Sequence, residues 1–198
     1  MKKLIITIML LAGLVSMAAA DTIVTADVGY MVSYMKLTGT DEALTQHSLS
    51  VNSSIFIGDA LKFFANISAG YIIAEVYEYG GISGFFDLSQ YETAVSMDLL
   101  AGVGFRFFLS DQFLILGGVG VHSYVSLQES WSGYSWSFLT FGFGGLFNAL
   151  FLIDEETGFN LGVKVAFDPL MASGTTSLPD YFVSNLVVFP YMGYSVKL

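Results

Sequence analysis

Apolar side chains recur at every second position through most of this 198-residue chain. Between Val95 and Phe107, Val95, Met97, Leu99, Ala101, Val103, Phe105 and Phe107 alternate with Ser96, Asp98, Leu100, Gly102, Gly104 and Arg106. A period of two puts each set on one face of a strand. The chain is 54% apolar, which would ordinarily suggest membrane helices. Beyond residue 20, however, it has no clean apolar run of about 18 residues, the length a spanning helix needs. The nearest, Leu139 to Ile153, is broken by Thr140, Asn148 and glycines. The hydrophobicity therefore belongs to strands.

The same alternation marks segments around Val24–Tyr34, Leu49–Ile57, Phe63–Ile73, Phe113–Val121, Phe159–Phe167 and Val188–Leu198, with Trp136–Ile153 the weakest. Eight strands result. Their connections alternate between long polar ones (37–46, 78–90, 128–134, 169–180) and short turns at Asp59-Ala60, Ser110-Asp111-Gln112 and Asp154–Gly158. An even strand count with short turns at one end and longer loops at the other is the outer-membrane barrel pattern. Only a closed sheet leaves no unpaired backbone in hydrocarbon. The predicted fold is all-β, an eight-stranded antiparallel up-and-down transmembrane barrel over residues 21–198, with both termini on the periplasmic side.

Residues 1–20 read as a signal peptide: Lys2 and Lys3, an apolar stretch from Leu4 to Val15, and Ala18-Ala19-Ala20 before Asp21. The chain has no cysteine, so disulfides and thiol chemistry are excluded. A net charge of -10 repels nucleic acid. The outward phase carries two charges, Lys36 and Glu75, both expected at or above the outer interface. Outward aromatics gather at strand ends, Phe63, Phe105, Phe107, Phe113, Phe159 and Tyr194 low and Tyr34, Tyr77 and Phe167 high, as two interfacial girdles. Pro190 cannot donate to a ladder, which predicts a bulge there.

In this pattern the chain resembles the small eight-stranded outer-membrane proteins of the OmpX, OmpA-barrel and OmpW group, including spirochaete-type members. The resemblance spans the whole of residues 21–198. Its most specific part is the terminal Tyr191-Met192-Gly193-Tyr194-Ser195-Val196-Lys197-Leu198. Gly193, Tyr194, Val196 and Leu198 match the family's assembly signal, with Leu198 where Phe is usual. The resemblance implies an outer-membrane location, surrounding lipid and the barrel-assembly machinery as partners, and a non-enzymatic, adhesin-like or porin-like role.

The inward phase collects Asp27, Asp98, Arg106, His122, Lys164 and Asp168, a polar network expected to close the lumen. The glycine pairs Gly102/Gly104, Gly118/Gly120 and Gly142/Gly144 lack the strand–turn–helix context of a phosphate loop and mark a narrow interior. His47 and His122 each precede a serine that points to the opposite face, so no triad forms and no catalytic residue is expected. No metal or cofactor motif is present in the sequence. Asp41, Glu42, Glu78, Asp87, Glu129 and Asp180 make the outer loops acidic. Trp131, Tyr134 and Trp136 are the loop-contact candidates, for an extracellular protein or a lipid headgroup. The alternative function is a narrow channel for small or apolar solutes.

Overall fold

A computed structural model describes residues 22–37, 41–58, 61–85, 87–133, 135–173 and 183–198, so the segment 1–20, expected to be a signal peptide, lies outside the described residues. The strands are β1 (Thr22–Leu37), β2 (Ala43–Ile57), β3 (Leu61–Tyr79), β4 (Ile82–Phe85), β5 (Tyr91–Ser110), β6 (Phe113–Ser130), β7 (Ser135–Leu152), β8 (Thr157–Ser173) and β9 (Val183–Lys197). Eight of them close antiparallel, each on its chain neighbours, with β1 sealing against β9. The short β4 pairs only with β3, across a Gly80-Gly81 turn whose φ values of 58° and 80° suit glycine.

Following paired residues once around the wall from Leu116 returns to β6 at Ser126, a stagger of ten residues. Eight strands with that stagger tilt by about 40°. The 20 residues of β5 then rise about 50 Å, roughly twice an apolar band of about 25 Å. Strands therefore run on past the membrane. The connections are shorter than the sequence pattern suggests, residues 38–42 after β1 and 131–134 after β6. The weakly patterned β7 holds one unbroken register with β6.

Sidedness follows the alternation. Phe143, on the outer face, is 71% exposed, whereas Lys164, on the inner face, is fully buried. Outward aromatics occupy strand ends, and along β7 Phe143 and Phe147 carry them through the middle of the belt as well. The lumen is layered. Toward the short-turn end, Ile23, Phe56, Phe64, Leu100, Leu114, Leu116, Leu146 and Leu150 form an apolar plug. Toward the loop end lies a second cluster that includes Met31, Met35, Tyr124, Phe138 and Phe189. The glycines make room for this filling. A Cβ on Gly118 would strike the Phe64 ring, which reaches over from β3.

Three expectations need correction. Between His47 and Ser48 the partner on β3 jumps from Ala74 to Ile72, a bulge at Ile73. It reverses the phase of β3 beyond that point, so Glu75 is wholly buried instead of facing outward. Tyr77 shares the face of Glu75 and leaves the girdle. At Pro190 no residue is inserted: the β1–β9 ladder lapses at Tyr30 and Met31, then resumes in the same register. The proline bulge is at Pro169, where Gly142 faces both Asp168 and Pro169.

Candidate functional site

Between the two apolar clusters runs a hydrogen-bonded chain to which all eight barrel strands contribute. On β1, the Asp27 carboxylate accepts from Thr25 Oγ1 at 2.7 Å, Asn52 Nδ2 at 3.1 Å and Asn160 Nδ2 at 2.7 Å. Asn52 Oδ1 accepts from Asn66 Nδ2 at 2.7 Å and Ser68 Oγ at 3.0 Å. The Lys164 ammonium spends its three hydrogens on Asn66 Oδ1 at 2.6 Å, Ser68 Oγ at 2.7 Å and Asp98.

Asp98 leads to His122, whose Nε2 lies 2.8 Å from Asp98 Oδ2 and whose Nδ1 lies 2.7 Å from Asp168 Oδ1. An ionised carboxylate only accepts, so each contact needs an N–H, and the ring offers both only as imidazolium. The cluster then balances: Lys164 and His122 against Asp98 and Asp168. From Asp168 Oδ2 the chain continues through Thr140 Oγ1 at 2.6 Å to Asn185, 3.2 Å from Thr140, and on to Ser33 at 2.7 Å. With both His122 nitrogens engaged by carboxylates, no nitrogen remains to activate a nucleophile.

Five of the six sequence-predicted network residues are therefore joined. Arg106 is not part of that chain. Its guanidinium sits 4.9 Å from the centre of the Phe108 ring, beside a cavity of about 30 Å³ also lined by Glu155, Ser195 and Lys197. The sequence reading missed the neutral links Asn52, Asn66, Thr140, Asn160 and Asn185; the first four share the lumen phase of predicted strands, whereas Asn185 precedes the last predicted strand, Val188–Leu198. His47 Nδ1 meets the Tyr30 hydroxyl at 2.8 Å on the exposed wall.

At the loop end, Asp87 accepts from Ser89 N at 3.0 Å and Ser89 Oγ at 2.6 Å, which hold its carboxyl below the usual range. Trp131 fastens the β6–β7 connection onto this turn: its backbone N donates to Gln90 O at 3.1 Å and its indole N–H to Ser89 O at 3.2 Å. The Trp131 ring is nevertheless 70% exposed. Asp41, Glu78, Asp87 and Glu129 are exposed and Glu42 is half-buried. Tyr134, the Trp136 side chain and Asp180 lie outside the described residues. At the terminal strand Gly193 faces inward and Tyr194 outward, with Leu198 N bonded to Thr22 O at 2.8 Å.

No protein-family model matches this sequence, and no curated protein matches it. Solved structures do. Neisserial surface protein A (NspA) superposes with a TM-score of 0.59 at 10% identity, covering 89% of this chain and 97% of that one. The chain folds as a small outer-membrane barrel. The outer membrane protein OprG from Pseudomonas aeruginosa gives 0.57 at 15% identity, over 91% of this chain and 96% of its own. Outer membrane protein AlkL, solved in lipid bilayers, gives 0.54 at 9% identity, with 91% and 90% covered. The likeness is one of fold, and the outer wall of this barrel is apolar.

Proposed function

We propose that this outer-membrane barrel is non-enzymatic and non-conducting, and acts as a structural or surface-interaction protein through its acidic, partly aromatic loop end. The observation that carries the reading is the plug. Eight apolar side chains at the short-turn end of the lumen are each no more than 5% exposed, beneath a polar chain that ties all eight strands together. Such a layer blocks the passage of water and ions in this reading. In this reading Gly193, Tyr194, Val196 and Leu198 serve the assembly machinery, and the exposed Trp131 serves contact with an extracellular protein or lipid headgroup.

Planar-bilayer recording on the refolded barrel tests the lumen, and no stable conductance is expected. A large steady conductance would sink the closed-lumen reading. Binding of extracellular-matrix proteins to the barrel, with and without residues 80–90, tests the loops; equal binding by both forms would remove this loop from the role.

One observation favours the alternative, a narrow route for small or apolar solutes. The β3–β5 ladder ends at Tyr71 and Val95 although both strands continue toward the loops, so the wall there is not sealed by a ladder between them. Liposome swelling with small uncharged solutes separates the two readings.

A further inference from the structure

Glu75 is the carboxylate that the alternation assigns to lipid and the Ile73 bulge turns into the lumen. Bulges re-aim side chains in this way, and they cluster at sites. Gln46 Nε2 and Gln128 Nε2 both donate to Glu75 Oε1. Gln46 is fixed in turn by Ser126 Oγ at 3.1 Å and by the Tyr124 hydroxyl, which donates to its Oε1 at 2.9 Å. Among the described residues, two buried acceptors on these adjoining side chains have no partner: Glu75 Oε2 and Gln128 Oε1.

Asp98 and Asp168, deeper in the lumen, are matched by Lys164 and His122. Glu75 is not so matched; its partners among the described residues are two neutral amides on one oxygen. Asp27 also meets only neutral groups, but its donors occupy both carboxylate oxygens, whereas Glu75 Oε2 has none among the described residues. The other unpartnered buried atoms among the described residues, on Ser50, Asn148, Asn160, Tyr191 and Ser195, belong to neutral groups, for which a water is sufficient and no counter-charge is needed. A buried carboxylate asks for counter-charge.

We propose that Glu75 Oε2 and Gln128 Oε1 bind one small monovalent cation at the loop end of the lumen. A single carboxylate beside neutral oxygens suits a monovalent ion, since calcium sites draw on more oxygens and usually more carboxylates. Supply is favourable as well. Segments 37–46, 75–95 and 125–137 contain carboxylates and no Lys or Arg, and these carboxylates outnumber the neighbouring Lys36, so the rim concentrates cations above the site. The assignment holds whether or not the loops bind a macromolecule.

The test is the unfolding midpoint of the refolded barrel in sodium chloride and in N-methylglucamine chloride at equal ionic strength. Sodium raises the midpoint in the parent protein, with a saturable dependence. Glu75→Gln removes the sodium-specific rise, Gln128→Met weakens the apparent affinity about tenfold, and Glu78→Gln, an exposed rim control, keeps it. Should Glu75→Gln fail to refold, Gln128→Glu carries the test, because a second carboxylate introduces a calcium-dependent rise. Identical parent midpoints in the two salts overturn the proposal. So does an infrared carboxylic-acid band in sodium that Glu75→Gln abolishes, since a proton would then occupy the site. Absence of any calcium effect in refolded Gln128→Glu also counts against it.

Discussion

Toward the short turns the lumen is filled chiefly by leucine, isoleucine and phenylalanine, which need only fit, with the buried Lys62 donating to Gly58 O at their edge; from Asp27 to Ser33 it is filled by groups that need specific partners. The apolar layer tolerates a lost methylene as a local cavity. The polar layer does not, because removing one member leaves the next buried and unpaired. One barrel thus contains a part that degrades gradually under substitution and a part that fails by whole links.

The strongest way to break this comparison is Lys164→Met, which removes at once the donor to Asp98 Oδ1, Asn66 Oδ1 and Ser68 Oγ. It is expected to destabilise by about 3–5 kcal/mol in equilibrium urea unfolding from lipid vesicles. Replacing Asp98 by Asn in the same chain should recover part of that loss, and additive effects would show the two do not interact. Next comes Leu116→Ala in the plug, expected to cost about 3 kcal/mol by the same measurement without opening a conductance. Only combined truncation of Leu100, Leu116 and Leu150 should produce current in planar bilayers.

Trp131→Ala should change stability by less than about 1 kcal/mol, yet make residues 80–90 more sensitive to protease in a time course. The smallest effect belongs to Asp154 in the β7–β8 turn. Its carboxylate accepts from Thr157 Oγ1, Glu156 N and Thr157 N at 2.7–2.9 Å, which holds its pKa down. A depressed carboxyl contributes stability above its unfolded pKa and loses it as pH falls through the folded value. Asp154→Ala should therefore flatten slightly the fall in unfolding midpoint between about pH 5 and about pH 2.

Strand number, closure and sidedness were legible because a period of two leaves little freedom once one face must meet lipid. Asp27, Asp98, His122, Lys164 and Asp168 could be placed on the inner face for the same reason. Alternation cannot register an inserted residue where both neighbours are apolar. Ile72 and Ile73 satisfy either phase, so the bulge that buries Glu75 left no mark in the pattern. Pro190 falls inside a predicted strand, whereas Pro169 falls at the edge of a predicted connection, so only the former signalled a bulge. Which of them distorts its strand depends on the neighbouring ladder: beside Pro190 two pairs lapse, whereas opposite Pro169 stands Gly142, which admits an extra residue. The asparagines of the polar chain shared the charged face, but only distances identify which of them meet.

The pairing of β1 with β9 also sets an order of events. Asp27 bonds to Asn160 and Ser33 to Asn185, partners separated by 133 and 152 positions, and both contacts wait on the last strands. Contacts of such long sequence range are slow to form. Until β9 docks, two strand edges stay open, and the lumen carboxylates are sheltered from neither water nor one another. In chain order the seam closes last, and a chain held up before it presents two unpaired strand edges, each a template for pairing with another chain.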